Sequence, residues 1–211
     1  MMDRNLGATS ATPGDVGALG LLYQWGRKDP FLGSSSISNA KDAESTIIWP
    51  SYVTSSSSNG TITYATEHPT TYIAKNGNNK DWYYADSDST DDTRWQSEKT
   101  IYDPCPSGWC LPDGGDDGVW SIAGFTKTSY DSINEGISFN VSSSATWYPA
   151  SGSLNCNSGS LQMVGYGGYY WSVTPKDSNA HILRFGGLVG GVLSTDYYSR
   201  AYAFSVRCQK E

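Results

Sequence analysis

STDYYSRAYAFSVRCQKE closes the chain at residues 194–211. Its second half, AYAFSVRCQ, alternates Tyr202, Phe204, Val206 and Cys208 against Ala201, Ala203, Ser205 and Arg207, the period of two that a β-strand imposes. The first set is expected to face the core. The stretch before it, STDYYS, is polar and carries Tyr197 and Tyr198, and it reads as a loop. A tyrosine-rich loop tied to a cysteine-bearing strand points to a contact surface on a rigid scaffold. Tyrosine supplies area at little rotamer entropy.

The rest of the composition agrees with a loop-rich sheet protein. In 211 residues there are 15 Tyr, 8 Trp and 23 Gly, and only 17% of residues are charged, against about 25% in an ordinary soluble domain. The aromatics can fill a core, so the chain is not of disordered type. GYGGYYWSVTP (165–175), HILRFGG (181–187) and ISFNVS (137–142) read as further strands. GTITYATEHPTTYIA (60–74) reads as a strand broken at Pro69. GALGLL (17–22) opens a short helix or a buried strand, and SSSISNAKDAESTIIWPSYVTSSSSNG (34–60) an excursion loop. No long amphipathic helix, repeat or linker is visible. One α+β domain over 1–211 is expected, with small antiparallel sheets, few short helices and long loops.

The net charge of −7 argues against nucleic acid and anionic membranes as partners. No apolar run approaches the ~18 residues of a membrane span. MMDRNLGA is no signal peptide, so the chain is either cytoplasmic or, as we expect, a piece of a longer precursor. Four cysteines, at 105, 110, 156 and 208, allow three pairings. They form disulfides in an oxidising compartment or stay as reduced buried thiols.

Several motifs then occur in order: MDRNLGA (2–8), LYQWGRKDPF (22–31), YDPCPSGWCLPD (102–113), GYYWSVTP (168–175) and FSVRCQKE (204–211). Together they resemble the Fibrobacter succinogenes major paralogous domain family of surface and secreted proteins from Bacteroidetes-type bacteria. The resemblance runs from residue 2 to 211. It implies a C-type-lectin-like fold, related to the formylglycine-generating domain, with small twisted sheets and termini that meet. It also implies a disulfide between Cys105 of the DPCP motif and Cys208 of the last strand. Cys110 stands where the family more often has Arg; it pairs with Cys156 or both are free. Asp3 and Arg4 are expected to form an internal ion pair, and Trp25 and Phe31 to lie in the core. Residues 172–203 also resemble the C-terminal segment of variable proteins of diversity-generating retroelements, in which framework residues flank a randomised centre.

The expected ligand-binding residues are Tyr169, Lys176, Asp177, Asn179, His181, Arg184, Asp196, Tyr197, Tyr198 and Tyr202. Tyrosine faces stack on apolar or sugar surfaces, and Arg and Asp fix orientation through directional hydrogen bonds. The alternative for the tyrosines is half-buried packing at sheet edges. The carboxylates of DSDSTDD, Asp86, Asp88, Asp91 and Asp92, suit Ca²⁺ in oxygen chemistry but lack EF-hand spacing, so a solvated acidic loop is the competing reading. DGGDDG (113–118) offers Asp116 and Asp117 for a metal or a turn. No cofactor is otherwise expected.

Catalysis finds no footing. The two histidines, His68 and His181, belong to no nucleophile or zinc motif. Asp81 and Glu98, both near tryptophans, are a glycosidase-like pair that no spacing selects. Cys156 has no basic neighbour to lower its pKa. The expected function is therefore that of a non-enzymatic, secreted or cell-surface, adhesin-like domain. It would sit at the tip of a larger surface protein or pilus and bind a protein or glycan of a host or neighbouring cell. The alternatives are a retroelement-diversified receptor-binding protein, a structural module of a surface or pilus protein, and an enzyme related to formylglycine-generating proteins.

Overall fold

The computed structural model describes residues 1–33, 51–84, 90–123, 129–141, 144–186 and 191–211. In chain order its elements are β1 (Leu22–Gln24), β2 (Tyr52–Thr54), α1 (Ile62–Glu67), β3 (Tyr72–Ala74), β4 (Trp109–Cys110), α2 (Val119–Ile122) and β5 (Gly136–Val141). There follow β6 (Ser144–Pro149), β7 (Ser153–Leu154), β8 (Leu161–Gln162), β9 (Gly167–Lys176), β10 (Asn179–Gly186), β11 (Gly191–Ser199), β12 (Ala203–Ser205) and β13 (Gln209–Lys210). A single 3₁₀ turn, Val16–Ala18, precedes β1.

The closing segment organises the largest sheet. β12 pairs antiparallel with β1, Phe204 opposite Tyr23, and parallel with β9, Ser205 opposite Tyr170. The sheet runs β11-β10-β9-β12-β7-β8, with β1 joined to β12. Both faces of β12 are covered: Phe204 packs in one core cluster with Trp25 and Trp171, and Ala203 in another with Leu22 and Leu154. Ala201, Ala203, Ser205 and Arg207 are as buried as the set predicted to face the core, which corrects the one-sided reading of AYAFSVRCQ.

Three two-stranded sheets complete the strand pairing among the described residues: β2–β3, β4–β13 and β5–β6. β2–β3 and β12–β9 are parallel, so the small sheets expected to be antiparallel are mixed. Mostly sheet with few short helices is nonetheless the architecture. GTITYATEHPTTYIA is not one broken strand. Thr61 Oγ1 accepts a hydrogen bond from the Tyr64 N–H at 3.1 Å and caps α1; β3 begins only after Pro69.

The termini are fastened together. The Met2 N–H donates to the Cys208 carbonyl at 2.8 Å, and the Leu6 N–H to the Val206 carbonyl at 2.9 Å. Cys105 and Cys208 form a disulfide across 103 residues of chain. On the chain-entropy model a loop of that size lowers the unfolded-state entropy by up to about 4–5 kcal/mol. Cys110 and Cys156 are buried and free, which settles the alternative left open for them.

The core around the last strand is aromatic. Phe204 lies 4.5 Å from the Trp171 ring, 5.0 Å from Tyr169 and 5.4 Å from Tyr202, the last two stacked. Trp25 and Phe31 are fully buried, as expected. Beside Trp25 lies a buried charge network that no motif announced. Asp81 takes the guanidinium of Arg94 and lies 3.5 Å from that of Arg200, whose Nη2 reaches Asp92 at 2.6 Å. The Arg200 guanidinium carbon lies over the Trp25 ring, 4.1 Å from its centroid.

Candidate functional site

The β9–β10 hairpin carries the site. At its turn, Lys176–Asn179, Asp177 holds a positive φ of 52°. The carbonyls of Asp177 and Asn179 accept from Arg200 at 3.0 and 2.9 Å. These two residues therefore anchor the turn through their backbones while the Lys176 and Asp177 side chains stay exposed.

Behind the hairpin lies an open cleft of about 870 Å³. One wall is Asp92 and the 95–98 segment, the other Asp113–Asp117, and the floor is Val173–Pro175 with His181. The walls are held to the floor by short polar contacts. Ser97 Oγ donates to Asp113 at 2.6 Å, the Gly114 N–H to Thr174 Oγ1 at 2.9 Å, and the Val173 N–H to the Pro112 carbonyl at 3.0 Å. Gly114 is required there, because a Cβ would come within 2.3 Å of Ser172 Oγ and 3.0 Å of His181 Cβ. Thus DGGDDG turns the chain against the imidazole and leaves Asp116 and Asp117 facing water.

The cleft is acidic and unevenly neutralised. Asp92 is matched by Arg200, whereas Glu98, Asp116 and Asp117 are exposed and form no ion pair with a described residue. The His181 Nδ1 is buried with no hydrogen-bond partner among the described residues, and the ring meets Tyr197 edge-on at 6.2 Å.

The ten residues expected to bind divide into three groups. His181 and Tyr197 are brought together at the cleft, on paired positions of β10 and β11. Lys176, Asp177 and Asn179 form the hairpin tip. Tyr169, Arg184, Asp196, Tyr198 and Tyr202 gather on the sheet face beyond. There Arg184 donates to Asp196 at 3.2 Å and lies 5.8 and 5.3 Å from the Tyr169 and Tyr198 rings. Burial pulls the Arg184 pKa down, but the Asp196 hydrogen bond and the flanking tyrosines leave it above its usual value. Burial likewise raises Tyr198, against the opposing charge of Arg184.

Two corrections follow. Tyr197 and Tyr198 are in a strand, β11, and not in a loop. Tyr169 is only 7% exposed and packs inside the aromatic core. Tyr198 and Tyr202, at 5.7 Å from each other, flank the same core and are half-buried.

Of the carboxylates weighed for Ca²⁺, Asp86 and Asp88 lie outside the described residues. Asp91 accepts from the Thr93 N–H and hydroxyl at 2.9 and 2.6 Å, capping its own turn. Among the described residues no group of three or more His, Cys, Asp or Glu side chains is placed to hold a metal ion. Asp81 is buried between two arginines, so it is a structural anion and not a solvent-facing acid. Asp116 and Asp117 of DGGDDG and Glu98 were weighed from the sequence for a metal, a turn or catalysis, but not as the facing walls of one cleft, where the structure brings them together. The signal for one wall was DGGDDG, whose glycines mark a close backbone approach.

No family model, curated protein or solved structure matches the chain.

Proposed function

We propose that this chain is a non-enzymatic binding domain, displayed outside the cell or on its surface, that captures a protein or glycan carrying positive charge. The observation that carries the reading is the convergence, on one open cleft beside exposed Tyr197, of three carboxylates that form no ion pair with a described residue. Unpaired carboxylates raise the local concentration of cations. Apolar Val173 and Pro175 in the floor, with Tyr197 beside it, give the body of a ligand a surface to lie on. The disulfide is compatible with an oxidising, extracellular setting. The joined termini and the Cys105–Cys208 bridge support membership of the C-type-lectin-like family that the motifs resemble, and with it a place at the end of a longer surface or pilus protein.

A retroelement-diversified version of the same function draws support from β11. Leu193, Thr195 and Tyr197 alternate outward along it, so substitution there leaves the core untouched.

The test uses a lysine-rich peptide and a fully deacetylated chitosan oligomer as probes. Binding is expected to weaken with added salt. In the isosteric Asp116→Asn/Asp117→Asn variant it is expected to fall about tenfold, the sum of two surface charge contacts. Absence of binding by both probes, or unchanged binding by the variant, contradicts the reading.

A further inference from the structure

A second cavity lies on LYQWGRKDPF, a motif with no role in the cleft. It measures about 290 Å³ and is lined, among the described residues, by Gly26–Asp29, Ile62, Ala65, Thr66, Pro69, Trp82, Ile101 and Tyr102. An apolar cavity of about half that volume accepts a benzene-sized guest, so a ring with a short arm fits here.

Arg27 is the unusual member. It is 3% exposed, yet among the described residues no carboxylate forms an ion pair with it. Nη1 donates to Gln24 Oε1 at 3.1 Å and to the Thr71 carbonyl at 2.9 Å. Nη2 reaches the carbonyls of Ala65, His68 and Pro69, each at 3.3 Å. Nε has no acceptor. A guanidinium buried without a counter-ion is costly, and an orphaned buried donor calls for an explanation. Burial pulls its pKa down to about 10, opposed only in part by Asp29.

The surroundings are otherwise suited to an apolar body. The Arg27 guanidinium sits 4.9 Å from the Phe31 ring and 5.6 Å from the Trp82 ring. At the rim Ile101 is 76% exposed, a large apolar side chain facing water with Tyr102 beside it. Lys28 adds a second positive charge to the lining, against the single carboxylate of Asp29. In a chain of net charge −7 this is a locally cationic apolar pocket, the reverse of the acidic cleft.

We infer that the Arg27 cavity is a binding site for a small carboxylic acid with an aromatic or branched apolar body. The carboxylate meets the guanidinium and Lys28, and the body lies against Trp82, Ile62 and Ile101. The site is independent of the cleft and of the function proposed for it.

The experiment is a titration of the native chain with 3-phenylpropanoate, and with 3-phenylpropan-1-ol as its uncharged counterpart, followed by amide and Arg Nε–H resonances at neutral pH. The acid is expected to bind saturably in the millimolar range or tighter, moving Gly26, Lys28, Thr66 and the Arg27 Nε–H. The alcohol is expected to bind about tenfold more weakly, since a charge-assisted hydrogen bond is lost. Removal of Arg27 itself risks unfolding, because five acceptors lose their donor. Thr66→Trp, at an exposed position of α1, is the second variant. It fills the mouth and is expected to abolish acid binding without lowering the melting temperature. No saturable shift, equal binding of acid and alcohol, or unchanged binding by Thr66→Trp would each overturn the inference.

Discussion

Arg207 takes its charge into the core of the closing strand, and one neutral side chain receives it. Its Nε and Nη2 donate to Asn5 Oδ1 at 3.2 and 2.8 Å, and its guanidinium lies 3.9 Å from the Tyr148 ring. The Asn5 amide in turn donates to the Leu19 carbonyl and to Ser151 and Tyr170 hydroxyls, at 3.0–3.2 Å. MDRNLGA therefore matters through Asn5. The expected Asp3–Arg4 pair does form, at 2.9 Å, but on the surface; two adjacent residues need no fold to meet, so it contributes little. Sequence reading picked the charged pair because opposite charges are conspicuous, whereas the amide that joins the termini looks like any other asparagine. Buried and half-buried tyrosines give a prediction at the same scale. Burial raises the pKa of Tyr23, Tyr72, Tyr170, Tyr198 and Tyr202, and lifts Tyr130 to about 12, from an ordinary 10.0. Unfolded tyrosine releases its proton near pH 10 while these folded tyrosines retain theirs, so stability is complete below pH 10 and falls as pH rises toward 12. Arg27, with its pKa drawn down, contributes the opposite slope but is one group against six. Phenolate absorbance followed with pH should show these six tyrosines ionising above pH 10, with loss of the fold; their ionisation near pH 10 with the fold intact would contradict this.

At the scale of elements, strands whose alternation is apolar were legible. GYYWSVTP and HILRFGG became β9 and β10 because both insert large side chains into the sheet core. β11 was not legible. As the edge strand it is exposed at Leu193, Thr195 and Tyr197 and only partly covered between them, so no apolar face marks its period. α1 was missed because β-branched Ile and Thr in TITYATE read as strand, while the Thr61 cap and the lysine-free helical turn after it are local features. The two faces of the C-terminal segment should respond differently to truncation. Tyr197→Ala, at 49% exposure, is expected to change stability by no more than about 0.5 kcal/mol while weakening capture of the cationic probes. Phe204→Ala removes the ring on which Tyr169, Trp171 and Tyr202 pack, and is expected to cost about 3–5 kcal/mol. Denaturant melts of both variants check this; a large stability loss in Tyr197→Ala would return that side chain to a packing role.

At the scale of the molecule, sheet-rich architecture and the pairing of Cys105 with Cys208 were accessible from ordered motifs. The Asp81–Arg94–Arg200–Asp92 network was not, since its members are separated by as many as 119 positions in the chain and meet only around Trp25. The cleft is likewise a product of long-range assembly: its walls, Asp92 with residues 95–98 and residues 113–117, reach the hairpin through contacts such as Gly114 to Thr174. The most direct test of a binding cleft is chemical-shift mapping of the native chain with the lysine-rich peptide. Saturable shifts confined to amides of residues 92–98, 113–117, 173–181 and Tyr197 are the predicted result. Shifts that spread over the opposite face, or no saturable shift at any amide, would contradict it.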